Sequence, residues 1–129
     1  MKYIKKKLTI DKVKLEDIAK KFDTPTYCYS YTQLKKNINS FKKNFKTFSP
    51  LICFAIKSNT NLNLIKEIQK FGLGADVVSM GELMMALKAG INPKKIVFSG
   101  VGKTASEISY AIDKKILLIN AESKSEIKE

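Results

Sequence analysis

The sequence predicts an α/β fold built from repeated strand–helix units. Short apolar segments recur at residues 51–56, 75–78, 96–99 and 116–119, and their starts lie 24, 21 and 20 residues apart. Helix-like apolar spacing fills the intervals between them. Continuous apolar strands are typical of a parallel sheet buried on both faces. Two architectures fit this pattern: an open doubly wound sheet, or a partial (β/α)8 TIM-type barrel comprising about the first four units.

The first fifty residues precede this repeat and are richer in lysine, with 13 lysines against 4 acids. Residues 15–22 predict a short amphipathic helix whose apolar side chains share one side. Residues 24–30 predict a strand because they are rich in aromatic residues. Ser30 and Gln33 match the capping-box pattern, so a second helix is expected to begin after Ser30.

The helices of the repeat carry recognisable start and stop signals. Gly72 and Gly90 follow the first two helical segments, as glycine commonly does at helix ends. Three helix starts carry a hydroxyl residue followed three positions later by glutamate, which is the capping-box pattern. These pairs are Ser79 with Glu82, Thr104 with Glu107, and Ser123 with Glu126.

Composition argues against several classes of function. The net charge of +12 raises nucleic-acid binding, yet all 24 basic residues are lysine, and arginine is the residue that reads bases and phosphates in bidentate fashion. We therefore expect no nucleic-acid partner. The chain has no histidine, and its two cysteines, Cys28 and Cys53, form no CxxC motif, so we expect no metal site. Free thiols and the absence of a long apolar segment predict a cytoplasmic protein that does not enter a membrane.

Lys57 follows the first apolar segment directly. In parallel βα folds the residues that act on ligands lie at the carboxyl ends of strands. An ammonium group beside Phe54 and Ile56 would be partly desolvated, which favours the neutral and nucleophilic amine. Such an amine forms a Schiff base with a carbonyl compound such as pyridoxal 5′-phosphate. The alternative is an ordinary lysine at a solvent-facing strand end, and the spacing alone favours that alternative.

Asp76 and Glu82 are the acidic candidates. Asp76 lies in the second strand, one unit after Lys57, so the two side chains would be neighbours and a Lys–Asp pair is a plausible site. The alternative for Asp76 is a carboxylate satisfied by backbone amides. For Glu82 the capping role is a sufficient explanation.

Residues 98–105, FSGVGKTA, resemble two nucleotide-binding motifs. The P-loop interpretation fails because Val97 stands where that motif requires glycine. Gly100, Gly102 and Ala105 satisfy G-x-G-x-x-A, and Glu122 follows near the expected position of a ribose-binding acid. A non-enzymatic dinucleotide-binding module is therefore one alternative, and a tight glycine turn leading into a capped helix is the other.

Several stretches together resemble the fold-type III pyridoxal-phosphate decarboxylases. FAIKSN, residues 54–59, is similar to their lysine-bearing strand. Residues 72–90, 96–112 and 116–127 look like their next three units, and residues 24–30 are similar to their N-terminal strand. The combination is most similar to the diaminopimelate decarboxylase family, which makes lysine from meso-diaminopimelate. An alanine-racemase-like or an ornithine/arginine-type decarboxylase shares the same lysine and stays an alternative.

The resemblance implies a cofactor, pyridoxal 5′-phosphate, with Lys57 as its catalytic Schiff-base lysine and Asp76 in the cofactor pocket. It implies that residues 1–30 are an N-terminal segment belonging to a β-rich domain, and that residues 31–129 are the first half of a cofactor-binding barrel. Three further residues are expected near the pocket: Asn59, Ser79 and Glu82.

The resemblance also implies an amino-acid substrate and a homodimer. Met80 and Ser58 depart mildly from the family pattern, where glycine and alanine are common. The family's ring-stacking histidine and glycine-rich phosphate loop have no counterparts in this sequence. We therefore expect the chain to be the N-terminal part of such an enzyme, and to be inactive alone.

Overall fold

The structure is a computed structural model that describes residues 1–128. The chain forms two compact units that divide between Ser49 and Pro50. The predicted α/β class is confirmed, since parallel strands alternate with helices throughout the second unit. No helix in the described part of the chain combines the length and hydrophobicity that crossing a bilayer requires.

The first unit begins with an antiparallel sheet that the sequence does not predict. Its strands are β1 (Lys2–Ile4), β2 (Lys7–Ile10) and β3 (Val13–Lys14). The two connecting turns place Lys5, Lys6, Asp11 and Lys12 at positive φ. Positive φ at both central residues is the geometry of a type I′ hairpin turn, whose usual sequence signal is Asn-Gly or Asp-Gly. Lysine and aspartate occupy these positions here, so the signal is absent.

Two helices complete the first unit, and both were predicted. They are α1 (Leu15–Phe22) and α2 (Tyr31–Asn44). The Ser30 hydroxyl accepts from the amide of Gln33 at 3.0 Å, as predicted. The other half of the capping box is wrong, because the Gln33 side chain donates to Asn37 at 2.7 Å instead.

The predicted strand at residues 24–30 is wrong. The segment pairs with no strand among the described residues. Its aromatic residues instead stack on each other, with the rings of Tyr27 and Tyr29 6.5 Å apart. Aromatic content therefore favoured a strand, but a strand also needs a neighbour for its backbone hydrogen bonds.

The second unit holds a four-stranded parallel sheet in chain order. Its strands are β4 (Cys53–Ala55), β5 (Gly74–Val77), β6 (Ile96–Phe98) and β7 (Leu118–Ile119). Helices follow in turn as α3 (Leu62–Lys70), α4 (Met80–Lys88), α5 (Ala105–Asp113) and α6 (Lys124–Lys128). Strands β4, β6 and β7 are shorter than the predicted segments, because only the residues opposite a neighbouring strand complete the ladder, whereas β5 has the predicted length and begins one residue earlier. Gly72 and Gly90 adopt positive φ after α3 and α4, which confirms both as helix stops.

The core lies between one face of this sheet and its helices. Along β5, Ala75 and Val77 are fully buried, whereas Asp76 between them is half-buried. Successive side chains of a strand point to opposite faces, so Asp76 belongs to the face turned away from the helices. The expectation of burial on both faces therefore holds for the helix side only; on the other face, Val97 is half-buried.

Candidate active site

Lys57 lies directly beyond β4, in a single 3₁₀ turn formed by Ile56–Ser58, here called the Lys57 turn. The turn is closed by the amide of Asn59, which donates to the carbonyl of Ile56 at 3.0 Å. The Ser58 hydroxyl also donates to the carbonyl of Ala55 at 2.7 Å. These bonds hold the backbone of Lys57 at the carboxyl end of the first strand of the sheet.

The Lys57 side chain is exposed and forms no ion pair with the described residues. The predicted partial desolvation by Phe54 and Ile56 is wrong for this structure. Ile56 is fully buried in the core and Phe54 packs against it, so both lie with the core instead of covering the ammonium group. The amine is accessible to a ligand from solvent.

Asp76 lies on the neighbouring strand, where it is the register partner of Ala55. The predicted Lys57–Asp76 ion pair does not form among the described residues. Asp76 Oδ1 instead accepts a hydrogen bond from the hydroxyl of Ser99 at 2.7 Å. Neither the predicted ion pair nor the alternative of backbone amides therefore describes how this carboxylate is held.

Ser99 and Asn120 join Asp76 in a chain of hydrogen bonds that the sequence does not reveal. The Asn120 side-chain amide donates to Ser99 Oγ at 3.1 Å. Ser99 and Asn120 are the first residues after β6 and β7, and their backbone amides bond to the carbonyls of Val77 and Phe98 at 2.8 Å. Their shared position directly after an apolar strand is a weak sequence signal, because serine and asparagine are common there.

Asn59, Ser79 and Glu82 use their side chains for local backbone contacts. The amide of Glu82 donates to the Ser79 hydroxyl at 3.2 Å, and Glu82 Oε2 accepts from the amide of Val78 at 2.9 Å. Asn59 Oδ1 accepts from the amide of Asn61 at 3.0 Å. The capping role expected for Glu82 is therefore present, with its carboxylate reaching one residue beyond the usual partner. A role for these three residues in a ligand pocket stays a prediction.

The two other predicted capping glutamates also connect neighbouring units. Glu107 accepts from the amide of Thr104 at 3.1 Å and from the amide of Met80, at the start of α4, at 3.0 Å. These bonds, that of Thr104 first, lower the pKa of Glu107. Glu126 accepts from the amide of Glu122 at 2.7 Å, and this bond and that from the side chain of Lys103 lower the pKa of Glu126.

The loop after β6, residues 99–104, contains a buried lysine. The Lys103 side chain is 2% exposed and its ammonium group lies 3.1 Å from Glu126, which is 8% exposed. The same ammonium donates to the carbonyl of Gly100 and lies 5.8 Å from the ring centre of Phe98. Gly100 and Gly102 both adopt positive φ. This geometry matches the interpretation as a glycine turn leading into a capped helix.

The hydrogen bonds at the start of α5 argue against the dinucleotide-binding alternative. A pyrophosphate binds to free amide groups at a helix start. At the start of α5 the amide of Thr104 is taken by Glu107, and the amide of Glu107 is taken by the Thr104 hydroxyl at 3.3 Å. No group of three or more metal-ligating side chains occurs among the described residues.

The family of the chain follows from comparison with known proteins. Residues 31–129 match the family described as pyridoxal-dependent decarboxylase, pyridoxal binding domain. The chain belongs to this family. A diaminopimelate decarboxylase from Aquifex aeolicus is 43% identical over 127 residues, which are 98% of this chain and 30% of the relative. One from Helicobacter pylori strain J99 is 46% identical over 113 residues, which are 88% of this chain and 28% of the relative.

Solved structures of this family show the same fold. Diaminopimelate decarboxylase from M. jannaschii in complex with L-lysine superposes with a TM-score of 0.93 at 38% identity, over 98% of this chain and 31% of that one. The Helicobacter pylori enzyme with L-lysine gives a TM-score of 0.85 at 44% identity, over 88% of this chain and 29% of that one. The chain thus spans about 30% of the length of the curated relatives it matches.

The residues of the Lys57 turn suit the cofactor of the family, pyridoxal 5′-phosphate. An aldehyde condenses with an accessible amine, and Lys57 offers one at the carboxyl end of a parallel strand. The backbone amides of Val78, Thr104 and Glu122, near the starts of the next three helices, are occupied by the chain's own glutamates. The described residues therefore fit the carbonyl end of the cofactor.

Proposed function

We propose that residues 31–129 are the cofactor-binding part of a pyridoxal-phosphate-dependent carboxy-lyase that converts meso-diaminopimelate to L-lysine and carbon dioxide, a step of lysine biosynthesis. The observation that carries this proposal is the accessible amine of Lys57 at the end of β4, which has no ion-pair partner among the described residues. The substrate is proposed because relatives with the name diaminopimelate decarboxylase are 40–46% identical to the chain. An arginine decarboxylase from Paramecium bursaria Chlorella virus is 21% identical, which supports the fold alone.

In the proposed reaction the bond between the substrate's α-carbon and one carboxylate breaks, and a proton takes the place of the carboxylate. Bound pyridoxal phosphate supplies the carbonyl carbon that bonds to an amine and the ring that accepts the electron pair left by carbon dioxide. Lys57 holds the cofactor through Nζ, and holds a proton on that nitrogen once a substrate amine has replaced it. The Lys57 turn holds the backbone of Lys57 at the carboxyl end of β4, from which the side chain extends.

In this proposal the carboxylate of Asp76 stabilises the positive charge that develops on nitrogen at the carboxyl end of β4. Its register partner, Ala55, is two residues before Lys57, so the carboxylate and the amine belong to adjacent strand ends. A nearby negative charge favours the protonated form of an amine. Asn59, Ser79 and Glu82 complete the proposed pocket by shaping the two strand–helix connections on which Lys57 and Asp76 lie.

The remaining parts of the proposal concern the whole protein. We propose that the four-stranded sheet is part of a closed eight-stranded barrel, that residues 1–30 belong to a β-rich domain, and that the enzyme is a cytoplasmic homodimer. The family match begins at residue 31, which supports a domain boundary there. The compact units of the structure divide later, between Ser49 and Pro50.

The test is chemical trapping on the purified chain. Pyridoxal 5′-phosphate is added, borohydride reduces the bond between cofactor and amine, and peptide mass mapping shows which of the 24 lysines carries the pyridoxyl group. We expect the adduct to concentrate on Lys57, because the backbone there is ordered and the carboxylate on the adjacent strand stabilises positive charge on the cofactor-bound nitrogen. A pyridoxyl group spread evenly over the exposed lysines would overturn the proposal.

A chimera tests the activity itself. The matched 127 residues of the Aquifex aeolicus relative are replaced by those of this chain, and lysine formation from meso-diaminopimelate is measured. We expect the chimera to retain activity and its Lys57→Ala variant to lose it. The matched control is Lys66→Ala, an exposed lysine on α3, which should behave as the unmodified chimera. A chimera that folds and binds cofactor but forms no lysine would contradict the assignment.

A further inference from the structure

The bond chain from Asn120 through Ser99 to Asp76 has a fixed direction. The side-chain amide of Asn120 donates to Ser99 Oγ, so the single hydroxyl proton of Ser99 is left for Asp76 Oδ1. Both donors are neutral. A neutral donor orients a carboxylate and leaves its negative charge in place. A lysine partner would orient the carboxylate and also neutralise that charge.

The placement of these three residues is set by the sheet. Asp76 pairs in register with Val97, and Ser99 lies two residues beyond Val97, directly after β6, on the same face of the sheet. Phe98 pairs with Ile119, so Asn120 lies beside Ser99 at the end of β7. The three side chains therefore form one row across three adjacent strand ends, and β4, which the Lys57 turn follows, is the next strand beyond β5.

The row is not needed to hold the strands together. Backbone hydrogen bonds already join the strand ends, from Ser99 to Val77 and from Asn120 to Phe98. Asn120 is exposed, so its amide could be hydrated by water at little cost. Within the described residues Asp76 Oδ2 has no hydrogen-bond partner, which leaves this oxygen for a ligand or for the amine of Lys57.

We propose that Ser99 and Asn120 are positioning residues, which hold Asp76 by one oxygen so that the other faces a cationic nitrogen at the Lys57 end of the sheet. This inference rests on the proposed function. Residues at the ends of β6 and β7 would thus influence the reaction at the end of β4 through the carboxylate of Asp76. The nitrogen concerned is that of Lys57 or of the amino acid that replaces it.

The experiment measures how much pyridoxal 5′-phosphate gives half-maximal trapping at Lys57 in purified variants of the chain. Because a hydrogen bond to a charged group is the interaction lost, Ser99→Ala should raise this concentration about fivefold, and Asn120→Ala by about twofold. Ser99→Thr retains the hydroxyl and should restore trapping. Ser109→Ala, at an exposed position of α5, is the matched control and should have no effect.

A second readout separates positioning from general stability. Asn120 has no hydrogen bond to Asp76 among the described residues, so the side-chain amide signals of Asn120 in an NMR spectrum should move in an Asp76→Asn variant only through Ser99. In Ser99→Ala this response should disappear, while thermal unfolding shows that the variant is folded. Combining Asp76→Ala with Ser99→Ala should impair trapping no more than Asp76→Ala alone.

The outcomes distinguish the two proposals. If trapping at Lys57 occurs but Ser99→Ala binds the cofactor as well as the unmodified chain, the positioning role is overturned and the proposed function stands. If Asp76 and Ser99 contribute additively, the row does not act through the carboxylate and the inference is likewise overturned. If Lys57 is not trapped in the unmodified chain, the proposed function itself fails.

Discussion

The Lys57 turn and the loop after β6 occupy corresponding places in the first and third strand–helix units, and each contains a lysine. Lys57 is exposed and unpaired among the described residues. Lys103 is buried, pairs with Glu126 and donates to the carbonyl of Gly100. Two lysines at the carboxyl end of one sheet therefore have opposite surroundings.

The difference separates a lysine available for chemistry from one that holds the fold together. An amine reacts with a carbonyl group only if its lone pair can be freed and reached. The ammonium of Lys103 is committed to a carboxylate and a carbonyl oxygen in a site from which solvent is largely excluded. Position at a strand end is thus not sufficient for function, and the partners of the nitrogen decide it.

The strongest test of this contrast replaces each lysine by alanine and compares the effects on cofactor trapping and on stability. Lys57→Ala should remove nearly all site-specific pyridoxyl trapping, because no other described lysine has the same setting. Its free energy of unfolding should change by less than about 0.5 kcal/mol, since an exposed side chain is lost. Mass mapping and urea unfolding measure the two effects. A Lys57→Ala protein that is trapped as efficiently as the original would remove the basis of the comparison.

Lys103→Ala should have the opposite profile. Breaking a buried ion pair leaves its partner uncompensated, so we expect destabilisation of about 3 kcal/mol. Urea unfolding measures this loss, and trapping at Lys57 under native conditions should persist. The double variant Lys103→Met, Glu126→Gln removes both charges and should recover a large part of the stability. Equal destabilisation by the single and double variants would show that the pair itself is not the cause.

The sequence predicted the frame of this comparison but not its details. The bounds of α1 and the positions of the helix stops follow from local rules: apolar side chains spaced along one side, and glycine after a helix. The exposure of Lys57 did not follow, because the direction in which Ile56 points depends on the packing of the whole sheet. The burial of Lys103 could not be predicted either, because it depends on an ion pair with Glu126, 23 residues away in the chain.

The candidate site shows the same limit. Lys57 and Asp76 could be selected from the sequence because both follow or lie in apolar strands. Ser99 and Asn120 could not, since serine and asparagine are common after strands and only the register of β5, β6 and β7 brings them to Asp76. The strands of the first unit were missed for a different reason, as their turns use residues that rarely adopt positive φ.

Replacing a glycine in the loop after β6 should destabilise the protein more than replacing the glycine that follows α4. Gly100 adopts φ of +90°, and a Cβ atom there would lie 3.2 Å from that of Val78. Gly90 adopts nearly the same φ, +89°, with no atom within 4 Å. Gly90→Ala should therefore cost about 1 kcal/mol from backbone strain alone, and Gly100→Ala about 2 kcal/mol. Thermal or urea unfolding of the two variants measures the difference, and equal losses would show that the Val78 contact is unimportant.

The smallest expected effect is a local response to acid. Hydrogen bonds from Thr104 and Met80 lower the pKa of Glu107, and those from Glu122 and Lys103 lower the pKa of Glu126. A carboxyl group whose pKa is lower in the folded state stabilises that state at pH values above its unfolded pKa, which is about 4.3 for glutamate. This contribution is lost as the pH falls through the pKa of the folded state. The Lys57 turn is closed by bonds between neutral groups and lacks this dependence.

Hydrogen exchange at decreasing pH checks this difference. After correction for the intrinsic rate, the amides of Thr104 and Glu122 should lose protection below about pH 4.3, whereas the amide of Asn59 should not. Glu107→Gln should make the protection of Thr104 independent of pH in this range, because the remaining amide oxygen accepts the bond without titrating. If the amide of Asn59 loses protection together with that of Thr104, acid opens the whole sheet cooperatively. The two strand ends would then differ in their lysines but not in how firmly they are held.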